Sequence, residues 1–120
     1  MRPCLPFKDD NRSLQHIHDA IVAIEKFVGA GDLKDALSDE RTLAAVERKL
    51  LVISEAAVRL GTDAESLCPN QPWREIRGLG NWLRHEYDKI SFARLRDIVQ
   101  NDLPELKAAV EKALHPEESD

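Results

Sequence analysis

The chain has only two cysteines in 120 residues, Cys4 and Cys68, far apart and with no other thiol ligand near either. A disulfide scaffold or a structural zinc site is therefore poorly supported, and a reducing compartment fits better. A continuous apolar run long enough for a signal peptide or a membrane span is also lacking. The amino terminus instead carries Arg2, Pro3 and Pro6, with charges from Lys8 onward. These absences predict a soluble cytoplasmic protein. Nor is there an excess of positive charge: the formal net charge is -5 and the pI about 5.4, which argues against coating nucleic acid through global charge. No P-loop is present, because no strand precedes the glycines and no Lys-Ser/Thr pair follows them. The length suits one domain over residues 1–120, small enough for a partner to add materially to its stability. Residues 1–9 and 116–120 read as flexible.

What is present is helical periodicity. Leu14, Ile17, Ile21, Ile24 and Val28 form one stripe, giving a helix over about 10–29 with Asp9, Asp10 or Asn11 as its cap and Gly29 and Gly31 at its exit. Residues 32–39 read as a short helix or an ordered turn. Leu43, Val46, Leu50, Ile53, Ala57 and Leu60 then build a second long helix that ends at Gly61, and Thr62 caps a brief turn through Leu67. Pro69 and Pro72 enforce a connection, with Pro72 tolerated in the first turn of the next helix. Ser91 caps a last region carrying Phe92, Leu95, Ile98, Val99, Leu103, Leu106, Val110 and Leu114, with a kink or joint that Pro104 imposes near Asn101 and Asp102. The expected fold is all-α: an antiparallel, up-and-down bundle of four principal helices with short additional helices or turns.

Polar chemistry concentrates in GLGNWLRHEY, residues 78–87. If this segment is helical, Trp73, Ile76, Leu79 or Gly80, Leu83 and Tyr87 make its buried stripe, and Asn81 and His85 lie one turn apart on a different face. Histidine exchanges protons near neutrality, so His85 is the first candidate for chemistry. Arg74, Arg77, Arg84 and Lys89 supply positive groups nearby, diluted by Glu75, Glu86 and Asp88. Trp82, beside Asn81, either anchors a helix or stacks on a base. Gly78 and Gly80 each cost an exposed helix about 1 kcal/mol relative to alanine, so they imply either close helix approach or room for a substrate or a second subunit. His16 and His18 suggest ordinary surface or interface roles, and His115, in the tail, carries no specific signal.

The segment PWREIRGLGNWLRHEYDKI, with VQNDLPELKAAVEKAL downstream, resembles the HepT-like ribonuclease family of small HEPN-superfamily helical proteins. The likeness spans nearly the whole chain. The family pattern is Arg-Asn-x-x-x-His-x-Tyr; here Asn81, His85 and Tyr87 match, and Gly80 stands where the arginine is expected. The resemblance implies a homodimeric, metal-independent endoribonuclease toxin without a cofactor. In it His85 moves protons, Asn81 orients, and Arg77 or Arg84 replaces the missing arginine at the phosphate. Arg74, Trp82 and Lys89 would contact RNA. It also implies a partner, a minimal nucleotidyltransferase antitoxin that attaches AMP to the Tyr87 hydroxyl, although the periodicity alone makes Tyr87 a packing residue. The alternative is a dimeric interaction or nucleotide- and nucleic-acid-binding protein that keeps the fold without cleaving.

Overall fold

Apolar residues recurring every three or four positions become the inward faces of helices in the computed structural model, which describes residues 8–85 and 91–115. The elements are α1 (Lys8–Val28), α2 (Leu33–Ser38), α3 (Glu40–Leu60), α4 (Asp63–Leu67), α5 (Trp73–His85), α6 (Phe92–Asp97), a π-helical turn (Ile98–Asp102) and α7 (Leu103–Leu114). No strand occurs among the described residues. None of the described helices is long and apolar enough to cross a membrane.

Four principal helices, α1, α3, α5 and α7, alternate in direction. α1 packs against both α3 and α7, and α3 packs in turn against α5. Polar contacts show the antiparallel pairing. His18 Nε2 meets Glu111 Oε2 at 2.8 Å and Lys107 Nζ donates to Glu25 at 3.0 Å, so α1 and α7 run oppositely. Arg59 lies 3.2 Å from His16 Nδ1, joining the end of α3 to the start of α1. His16 and His18 thus sit on helix-to-helix contacts. Between the helices lie Leu14, Ile17, Ile21 and Ile24 of α1, with Val46, Leu50 and Ile53 of α3. Trp73 and Ile76 of α5 and Leu106 and Val110 of α7 complete the core. Each such side chain contributes about 1.5–3 kcal/mol by leaving water.

Helix ends depart from the sequence expectation where capping chemistry decides them. α1 is already helical at Lys8, so Asp9 and Asp10 stand in its first turn, where carboxylates complement the helix dipole, rather than at its cap. α3 begins at Glu40, earlier than its apolar stripe, because Asp39 accepts from both the backbone N–H and the hydroxyl of Thr42 at 2.9 Å. Those bonds hold the Asp39 carboxyl below its ordinary pKa. Residues 32–39 resolve as α2, whose cap Asp32 accepts from Lys34 N–H at 2.8 Å. Thr62 does not cap α4 through its side chain; the Ala64 N–H bonds to the Gly61 carbonyl instead. Gly29 and Gly61 end α1 and α3 at φ 67° and 56°, where a side chain would be strained. Ser91 caps α6 as expected, accepting from Arg94 N–H.

Cys68 is buried against α7, its thiol 3.6 Å from the Ala109 carbonyl, and burial pushes its pKa up to about 11. Its own carbonyl accepts from the Trp73 indole at 2.8 Å, which pins the start of α5.

The two glycines of α5 have different reasons. Gly78 is exposed, and a Cβ there would meet nothing within 4 Å, so the close approach expected of it is absent. Gly80 is buried at the α3–α5 crossing, where a Cβ would stand 3.0 Å from Ser54 Oγ and 3.3 Å from Leu51 Cδ1. Ser54 cannot readily yield, because its hydroxyl donates to the Arg77 carbonyl at 2.8 Å and accepts from Gly80 N–H at 3.0 Å. Gly78→Ala should therefore stabilise the protein by up to about 1 kcal/mol. Gly80→Ala should destabilise it by about 1 kcal/mol net, overpacking of roughly 1–3 kcal/mol outweighing the gain in helix propensity. Urea unfolding of the two variants measures both. A Gly80→Ala protein as stable as wild type would overturn the close-packing account.

Candidate functional site

The outer surface of α5 is set by what its inner surface must bury. Trp73, Ile76, Leu79, Gly80 and Leu83 all face inward, as the spacing predicts. With about 100° per residue, Arg74, Gly78, Asn81 and His85 then fall together on the outward face. Arg74, Gly78 and Asn81 are exposed. His85 closes the helix one turn beyond Asn81, and its backbone position alone is described. Tyr87 and Lys89 lie outside the described residues.

The flanks of this face carry opposite charge. On one side are Arg77 and Arg84. Arg77 is committed to α4, donating through both terminal nitrogens to Glu65 Oε2 at 3.2 and 2.5 Å. Arg84 is exposed, and its guanidinium folds back along the helix, Nη2 coming within 3.1 Å of where a Cβ on residue 80 would stand. On the other side, Trp82 is half-buried and the Arg94 guanidinium covers its ring, 4.6 Å from the centroid. Below Arg94 opens a cleft of about 150 Å³ between α5 and the α6–π–α7 segment, with Glu75, Asp97 and Asp102 around an apolar floor that includes Ile76 and Leu79. Burial, then the neighbouring Asp97 and Glu105, raise the Asp102 pKa against the opposing pull of Arg94. A polyanion is thus disfavoured at the cleft and favoured at the arginine flank. Among the described residues no three His, Cys, Asp or Glu side chains converge as a metal-ligand set.

Three residues that shape this face were not singled out in the sequence. Ser54 sets the seat of α5, Glu65 neutralises Arg77, and Arg94 covers Trp82. Only Ser54 left a trace, as a hydroxyl residue among the apolar positions of α3.

Residues 17–113 match the model of the family described as "Ribonuclease HepT-like". A relative from Thermococcus cleftensis named "Probable ribonuclease HepT" is 36% identical over 99 residues, covering 82% of this chain and 90% of its own. Another from Methanocaldococcus jannaschii, named "Putative RNase MJ1380", is 32% identical over 104 residues, covering 87% of this chain and 95% of its own. A third, "Putative RNase TTE0752" of Caldanaerobacter subterraneus, is 29% identical and covers 87% and 93%. No solved structure matches.

The Arg94–Trp82 contact ties α6 to α5 and should be measurable by a double-mutant cycle. Arg94→Ala, Trp82→Leu and the double variant, compared by urea unfolding, should give a coupling of about 0.5–1 kcal/mol, the worth of a solvent-exposed cation–π pair. Additive effects would mean that the stacking contributes nothing.

Proposed function

Since this chain belongs to the HepT-like ribonuclease family, we propose that it is a metal-independent endoribonuclease toxin that acts as a homodimer and is silenced by a minimal nucleotidyltransferase partner. The observation that carries this reading is the place of His85, one turn after exposed Asn81 on the outward face of α5 and beside an arginine flank. In the reaction a ribose 2'-oxygen attacks the adjacent phosphorus while the bond to the 5'-oxygen breaks. His85 takes the 2'-hydroxyl proton, and the His85 of a second copy returns a proton to the departing 5'-oxygen. Asn81 supplies an amide that orients the histidine or the phosphate, and an arginine stabilises the charge gathering on the phosphoryl oxygens. The products are a 2',3'-cyclic phosphate and a 5'-hydroxyl, and no step calls for a metal ion. Arg74 and Lys89 contact flanking phosphates. Trp82 would offer a base its ring only if Arg94 swung aside.

Silencing follows from the same residues. Tyr87, two positions beyond His85, would receive AMP on its hydroxyl, with pyrophosphate leaving ATP. The added bulk and negative charge would then sit beside the RNA site and repel its backbone. The second reading, a non-cleaving dimeric interaction protein, is favoured by one observation: Gly80 occupies the position of the motif arginine, and a Cβ there would be crowded against Ser54 at 3.0 Å.

Purified protein incubated with labelled total RNA in EDTA should cleave it and leave 2',3'-cyclic ends, and folded His85→Ala should not. A strict metal requirement would reject the mechanism, and no cleavage by the folded wild type would favour the second reading. Incubation with a cognate minimal nucleotidyltransferase and ATP should add one AMP by intact mass and abolish cleavage. Addition that persists in Tyr87→Phe would reject Tyr87 as the acceptor.

A further inference from the structure

Two arginines flank the outward face of α5 on its basic side, and their surroundings distinguish them. Arg77 already faces a carboxylate, with both terminal nitrogens on Glu65 Oε2. To bind a phosphate it would have to leave that ion pair, so its charge is largely spent within the protein. Arg84 has no carboxylate within ion-pairing distance among the described residues, and it is exposed. Side chains on a helix lean toward its amino terminus, so a residue covers the surface over the preceding turn rather than over its own Cα. The Arg84 side chain follows this rule. Its guanidinium rests against Gly80, and a Cβ on residue 80 would lie 3.1 Å from Nη2. The absent side chain at 80 leaves room for the Arg84 head there, one turn upstream of its own backbone, at the edge of the α3–α5 crossing.

We propose that Arg84 is the phosphate-binding arginine of this chain, reaching position 80 from one helical turn downstream, and that Arg77 is a structural partner of Glu65. In this arrangement Gly80 serves two contacts: it admits the backbone of α5 to Ser54, and it leaves room beside it for the Arg84 head. Among the described residues the guanidinium has no carboxylate to exchange when a phosphate arrives, and the planar fork suits two phosphoryl oxygens at once. This assignment rests on the ribonuclease reading for its substrate, but its test does not need cleavage.

The full-length protein and its Arg84→Ala, Arg84→Lys and Arg77→Ala variants, each checked for folding by circular dichroism, would be titrated with a 2'-O-methyl RNA oligonucleotide, which lacks the attacking hydroxyl. Binding would be followed by anisotropy at several salt concentrations, and cleavage of ordinary RNA measured in parallel. Arg84→Ala should lower the slope of log affinity against log salt by about one, and lower kcat by about 10²-fold or more. Arg84→Lys should keep the salt slope and recover little of kcat, since a point charge replaces the fork. Arg77→Ala should leave both within about twofold. Loss of slope and kcat in Arg77→Ala instead, or no change in Arg84→Ala, would overturn the assignment. If wild type binds with an Arg84-dependent slope yet cuts nothing, the arginine assignment stands and the ribonuclease reading falls. If wild type neither binds nor cuts, both fall.

Discussion

One hydroxyl group governs the seating of α5. Ser54, buried on α3, donates to the Arg77 carbonyl and accepts from the Gly80 N–H, so it fixes both the depth and the rotation of the neighbouring helix. Each bond is worth only about 1 kcal/mol net, but both lie inside the packed crossing, where an unmatched polar group would be costly. Rotation is what matters for the surface. A turn of one residue would swing Leu79 or Leu83 toward water and take Asn81 off the outward face. The position of every polar group on that face is thus inherited from a contact on the opposite side of the helix.

The chain is acidic overall, yet its charge is not evenly spread. Glu75, Asp97 and Asp102 gather at the cleft beside α6, while Arg77 and Arg84 stand on the other side of α5. An approaching polyanion meets a gradient across a single helix, which gives it a direction as well as a place. Arg94 stands on the acidic side, stacked on Trp82 and lining the cleft, where it partly offsets the carboxylates. Such focusing would reconcile a net charge of -5 with the RNA substrate we propose.

The architecture was largely legible in the sequence because the burial pattern is local. The stripes through Leu14 to Ile24, Val46 to Ile53 and Trp73 to Leu83 repeat at helical spacing, and the same residues form the core. Helix ends were less legible, since Asp9, Asp10, Asp39 and Thr62 all carry oxygens suited to capping and tertiary placement decides among them. At the site, the shared face of Asn81 and His85 was legible for the same local reason. Its supports were not: Ser54 meets residues 23 and 26 positions away, and Glu65 meets Arg77 across 12. No periodicity encodes such pairs. Gly78 and Gly80 look alike in the sequence, and only their opposite exposure separates a glycine that packing requires from one that it does not.

The kink or joint that Pro104 implies near Asn101 and Asp102 takes the form of a π turn over Ile98–Asp102. Without an N–H at Pro104, the Gln100 carbonyl has no α-type partner, and the Leu103 N–H reaches back instead to Ile98. Such a turn holds one residue more than an α-helical path would, which advances everything after it by about 100°. Leu95 and Ile98 can then be buried on one side of the break, and Leu106 and Val110 against α1 after it, within one nearly continuous rod. The extra residue acts as a phase adjuster. Residues 100–102 are exposed, Asn101 donating to Asp97 at 2.6 Å and Asp102 lining the cleft, but it is their number that sets the register: losing one would turn the whole of α7 away from its groove.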